Sequence, residues 1–215
     1  MTDRASFLAG VASTPRGIDP GLPVRDEPPD APTELRTGED PLDRFQTEAE
    51  AVSTIVERVA PDRASAAVAA ALVAADVRVA ALAADLGDLL EPIRAACVEA
   101  GVDVADYAAV APDRSRAGAL DATVTGCLAA VAATGSIVTS GAVGRAAALI
   151  APTHVCVVRV EQVVGGLHAL LEDGALNRAG SMLALQSGPS RSADIEKTLI
   201  LGVHGPGRVH VLLVG

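Results

Sequence analysis

Two polar segments interrupt a chain otherwise built mainly from Ala, Val and Leu, and they hold most of the side chains suited to binding chemistry. The first is "SGPSRSADIEKTLILGVHGP", Ser187 to Pro206. The pattern predicts a strand ending at Gly188 and a helix starting near Ser192, with Ser192 as N-cap and Asp194 and Glu196 in the opening turn. The turn before it, with Ser187, Gly188, Ser190 and Arg191, would then set hydroxyls and a guanidinium beside free backbone N–H groups. That is an oxyanion cradle, in which Arg191 grips a carboxylate or phosphate through paired hydrogen bonds. The same residues also serve as ordinary strand-to-helix punctuation and capping. The second segment is "ATGSIVTSGAVGR", Ala133 to Arg145. Here Thr134 and Ser136 offer hydroxyls, Gly135 and Gly144 permit close backbone approach, and Arg145 adds a cation. A plain hairpin with a following loop accounts for these residues equally well.

The four histidines divide by setting. His154 opens a strand beside a region where a pocket can form. His204, in "GVHGP", follows the expected last helix and would cap its carbonyls. His168 and His210 read as structural or surface groups. No histidine pair has HExxH spacing, no serine sits in GxSxG, and neither a P-loop nor a GxGxxG fingerprint occurs. Cys97, Cys127 and Cys156 lie far apart among apolar neighbours, so each reads as a small buried hydrophobe and no metal site is expected.

The elements that must position these groups follow from composition and period. The chain has 215 residues, enough for one large domain or a domain with an extension. Half the residues are hydrophobic, but the only aromatic ones are Phe7, Phe45 and Tyr107, so the core is aliphatic and no base-stacking platform exists. The net charge is −10 with no basic patch, which argues against nucleic acid as a partner. No signal peptide or membrane span is read from the sequence, and a cytoplasmic setting fits. Residues 1–41 are rich in Pro, Asp, Glu and Gly and read as an arm, partly extended or disordered. Residues 42–76 read as a helical lead-in: a stripe from Leu42 to Val59 with Asp40 as N-cap and Pro41 at the first helical position, then a helix opening at Pro61. From residue 77 apolar strands alternate with helices. "GRAAALIAP" and "EQVVGGLHALLEDG" read as helices, and "MLALQSG" and "RVHVLLV" as strands. The predicted fold is α/β and Rossmann-like: a mostly parallel sheet with helices on both faces and a helical N-terminal extension, the 42–215 region forming the domain. Function would collect at the carboxyl ends of its strands.

Residues 118–215, through "VTGCLAAVAATGSIVTSGAVGRAAALIAPTHVCVVRVEQVV" and "SGPSRSADIEKTLILGVHGPGRVHVLLV", resemble the LUD domain, specifically the lactate-utilisation protein C family. The likeness extends more loosely over residues 42–117. It implies a fold like the NagB/RpiA/CoA-transferase group and a cytoplasmic bacterial protein working in L-lactate oxidation to pyruvate. It further implies partner proteins that carry the iron–sulfur clusters, so this chain needs no cofactor of its own. Two departures stand out. The family's usual acidic residue before the Thr-Gly turn is Ala133 here, and its polar loop before Gly-Arg is the apolar "SGAVGR". Loss of a turn carboxylate favours binding over chemistry. Three readings remain: an accessory subunit binding a small anion or its partners, a stand-alone isomerase or acyl/CoA transferase, and a diverged non-catalytic protein.

Overall fold

The computed structural model describes residue 35 and residues 37–141, 147–172, 182–193, 199–202 and 204–215. The chain divides into two units, 1–31 and 32–215, and all described residues belong to the second.

Helix α1 (Pro41–Ala51) begins as the sequence dictates. Asp40 accepts hydrogen bonds from the N–H groups of Leu42 and Asp43, and Pro41 takes the first helical position. It does not run on to Val59. The chain leaves the helix at Val52, Ser53 takes a left-handed φ of 70°, and Ile55–Val59 is strand β1. The β-branched residues Val52, Thr54, Ile55, Val56 and Val59 favour that extended path over the helical stripe.

After a 3₁₀ turn at Pro61–Arg63 comes α2 (Ala64–Ala74). Then follow β2 (Val79–Leu82), a 3₁₀ segment at Ala84–Leu89, α3 (Leu90–Glu99) and β3 (Asp103–Asp106). The short helices α4 (Tyr107–Val110) and α5 (Arg114–Gly118) lead to β4 (Ala122–Thr125). With β7 (Thr153–Arg159) and β12 (Arg208–Val214) these strands form one six-stranded sheet, ordered β1-β12-β7-β4-β2-β3 and parallel throughout. The expected α/β fold is present. Helices α2 and α3 cover one face, where Val68, Leu72, Ile93 and Cys97 meet Val124, Val155, Val157 and Leu212. On the other face, α4 and α5 cover Ala81 and Ala83, and α1 covers the β7–β12 half through Phe45.

A second sheet lies over that half. It contains β5 (Ala129–Val131), β6 (Ser136–Ser140), β8 (Val163–Val164) and β9 (Leu183–Gln186), ordered β8-β5-β6-β9. "MLALQSG" therefore supplies a strand of this mixed sheet, antiparallel to β6, and not of the parallel one. Gly165 and Gly166 explain why "EQVVGGLHALLEDG" is not a single helix. A 3₁₀ turn at Val160–Gln162 and β8 precede the glycine pair, and α6 (Leu167–Glu172) follows it. The described part of "GRAAALIAP" is turn, as its alanines tuck against β2 and α4 just before the chain enters β7.

The described residues of the segment expected to form a helix from Ser192 are not helical. Arg191–Ala193 (β10) and Leu199–Leu201 (β11) instead pair as an antiparallel hairpin. Ser190 is its anchor: its N–H donates to the Pro206 carbonyl and its own carbonyl accepts from Gly202. The apolar residues at the end of this segment stand consecutively at 199–201, a run that suits a short strand as well as a helix, so pairing decided.

Candidate functional site

The two polar segments do meet. In the second sheet Ile137 pairs with Gln186, which sets Ser136 near Ser187. Their hydroxyl oxygens lie 2.6 Å apart, and Thr134 Oγ1 lies 2.8 Å from Ser136 Oγ. The flanking glycines both abut the end of α1. Gly135 is left-handed (φ 60°), and a Cβ there would sit 2.2 Å from Ala49 N. Gly188 has φ 81°, and its Cβ would sit 2.4 Å from the Val52 carbonyl oxygen. Only glycine satisfies both demands at these turns.

Arg191 has another task than gripping an anion. Its guanidinium donates to the Val52 carbonyl and to Ser53 Oγ, each at 2.8 Å. It therefore caps the carboxyl end of α1, where the last carbonyls lack helical partners. His204 lies exposed in the turn between β11 and β12, with no helix to cap. Gly144, Arg145, Asp194 and Glu196 lie outside the described residues.

A cleft of about 250 Å³ opens beside this junction. Of the expected residues it takes Ser187, Gly188, Ser190 and His204, whereas Thr134, Gly135, Ser136 and Arg191 do not line it. Thr139 and Gln186 add a hydroxyl and an amide, and Leu149 and Leu185 form an apolar rim. A second depression of about 470 Å³ adjoins it through Leu149 and His204. Its position corrects the expected one. Ser190 bonds Pro206, two residues before β12, and Gly207 bonds Pro152, one residue before β7. The cleft thus sits at the amino ends of the central strands, because β9 belongs to the overlying sheet.

Behind the cleft lies a buried polar chain. His154 is fully buried on β7. Its Nδ1 lies 2.8 Å from Gln186 Oε1 and its Nε2 lies 2.9 Å from Thr125 Oγ1. Thr125 Oγ1 also lies 2.7 Å from the Gly126 carbonyl. Burial pushes the imidazole down to about 4, with the Gln186 bond opposing only part of the effect, so the ring is neutral at physiological pH. Thr123 pairs with His154 in register, and its buried hydroxyl has no partner among the described residues.

A family profile for the LUD domain matches residues 42–214. The chain belongs to the LUD domain family. Curated relatives carry the name "Lactate utilization protein C". One from Deinococcus radiodurans is 40% identical over 99 residues, 44% of this chain and 47% of that protein. One from Exiguobacterium sp. is 48% identical over 65 residues, 30% of this chain and 27% of that protein. The LUD chain thus matches less than half the length of these relatives. A crystal structure of a DUF162 family protein from Deinococcus radiodurans is similar with a TM-score of 0.60 and 27% identity, covering 81% of this chain and 96% of that one.

Ala133, before the Thr-Gly turn of this LUD domain, is buried and donates its N–H to the Gly165 carbonyl. Sequence reasoning missed Gln186 and Thr125. A usable signal existed in "ATVT", where Thr123 and Thr125 alternate with apolar residues and so share one face of a strand. It also missed Asp85, beyond the carboxyl end of β2. There the carboxylate accepts from Gly126 N–H at 2.9 Å, and burial holds its proton affinity above the usual carboxylate range despite that bond. The hydrogen-bonded Cys156 thiol, and then burial, raise Cys127 well above an ordinary thiol. Among the described residues no cluster of His, Cys, Asp or Glu suits a metal ion, and no helix is long and apolar enough to cross a membrane.

Proposed function

We propose that this chain serves lactate utilisation, as the subunit of a cytoplasmic system that oxidises L-lactate to pyruvate with iron–sulfur clusters held by partner proteins. The observation that carries this reading is the LUD match over residues 42–214 together with relatives named for lactate utilisation. The cleft fits a small anion. Its described lining offers hydroxyls from Thr139, Ser187 and Ser190, the Gln186 amide and the His204 imidazole, and no guanidinium or ammonium group. Hydrogen bonds from hydroxyl and amide groups suit a hydroxy- or keto-carboxylate better than a polyphosphate, which calls for Arg or Lys. Deleting the gene should abolish L-lactate oxidation in cell extracts, and a plasmid copy should restore it. Undiminished oxidation after deletion overturns the reading.

Asp85 favours a second reading, a stand-alone isomerase or acyl/CoA transferase. A half-buried carboxyl with raised proton affinity at the carboxyl edge of a parallel sheet suits general acid–base work. Under that reading the purified chain alone turns over sugar phosphates or acyl-CoA, and Asp85→Asn removes about 10²-fold or more of the rate. No turnover with either substrate class dismisses it.

A further inference from the structure

We propose that Gln186 is the specificity-determining residue of the cleft, presenting its amide NH2 to a ligand carboxylate, and that His154 is the positioning residue that fixes that orientation. The inference rests on the reading of the cleft as an anion site. Gln186 has its amide carbonyl oxygen against His154 Nδ1 and at the same time lines the cleft. A carbonyl oxygen only accepts, so Nδ1 carries the ring proton and the NH2 is the end of the amide left for the cleft. In that setting the neutral ring leaves Nε2 a bare acceptor, and the Thr125 hydroxyl must turn to it from the Gly126 carbonyl, to which it donates in the structure.

This polarity has a built-in alternative. Thr125 has one hydroxyl proton and two acceptors, His154 Nε2 and the Gly126 carbonyl. If the proton goes to Gly126, Nε2 must hold the ring proton, Nδ1 becomes an acceptor, and the Gln186 amide turns to show its carbonyl to the cleft. The tautomer of one buried histidine thus sets whether the cleft shows Gln186 as a donor or an acceptor. A bound carboxylate selects the donor setting; a ligand with an amide N–H in its place selects the other.

The test uses L-lactate and its neutral analogue L-lactamide as probes of the full chain. Wild type should bind lactate more tightly than lactamide, and the Gln186 side-chain amide resonances should move on lactate saturation. Gln186→Glu should reverse the preference, weakening lactate by about tenfold or more through like-charge repulsion. Gln186→Met should weaken lactate in a chain that still unfolds cooperatively, at a lower midpoint because His154 Nδ1 loses its acceptor. His154→Leu should erase the preference between the two probes, a readout that a purely structural role would not move. The proposal falls if Gln186→Glu keeps wild-type preference, if the Gln186 amide signals stay still at lactate saturation, or if wild type binds neither probe. Failure here with lactate oxidation still lost on gene deletion condemns the residue assignment alone. A switched preference in a protein whose deletion leaves lactate oxidation intact condemns the pathway alone.

Discussion

A histidine sealed inside a protein records its burial as a dependence of stability on pH. His154 titrates near 4 in the folded chain, against 6.5 when unperturbed. Between those values the unfolded chain binds a proton that the folded chain refuses. The stability from this group is therefore complete above about pH 6.5, falls as the pH drops towards 4, and changes no further below that. A shift of this size corresponds to about 3 kcal/mol. We expect His154→Gln, which keeps hydrogen-bonding capacity but cannot titrate, to lose about 2–3 kcal/mol less than wild type between pH 7.5 and 4.5 in urea melts. Equal losses would mean that the native ring is protonated. The sequence flagged His154 only as a strand-opening residue near a cavity. Its partners Thr125 and Gln186 lie 29 and 32 residues away along the chain, the first brought in by the parallel pairing of β4 with β7 and the second by the stacking of the other sheet.

At the scale of elements, α1 organises the neighbourhood of the cleft. Its start was legible in Asp40-Pro41, because capping is a local matter of one side chain and two nearby N–H groups. Asp40→Ala should cost about 1 kcal/mol in chemical denaturation. Its end was not legible, because the groups that close it come from distant turns. Gly135→Ala combines a left-handed φ with a Cβ 2.2 Å from Ala49 N, so we expect a loss of about 2 kcal/mol or more and a clearly lower melting temperature. Arg191→Met removes the cap on Val52 and Ser53. It should cost about 1 kcal/mol yet leave anion binding unchanged, the opposite of what an anion-gripping arginine predicts. Isothermal titration of the variant with lactate decides between the two. The hairpin β10–β11 marks the same limit: the helix expected from Ser192 had sound capping chemistry, but strand pairing outweighed it.

For the molecule as a whole, a parallel sheet was readable because strands buried on both faces carry continuous apolar runs, as in "HVCVVRV" and "RVHVLLV". The second sheet was not readable as separate, since "CLAAVAA", "SIVTSG" and "MLALQSG" carry the same strand signals. Phe45 ties the layers together: it is fully buried, clustering with Ala130 and Ile137 of the second sheet and Val158, Val211 and Leu213 of the first. Phe45→Ala should cost about 3–5 kcal/mol. Hydrogen exchange should then quicken in β5 and β6 as well as α1, because one side chain supports both sheets. Faster exchange confined to α1 would show that the layers hold together without it.

Residue order alone determined which segments are strands and helices over most of the domain, where the first helix starts, and that an aliphatic, acidic chain gathers its hydroxyls in two polar segments. These are local matters of period, capping and composition. Tertiary structure decided which sheet each strand joined, and with that the end of the central sheet on which the cleft opens. It also made Arg191 a helix cap and Gln186 a cleft residue. Both outcomes depend on contacts between residues far apart in the chain, and no local preference encodes such contacts.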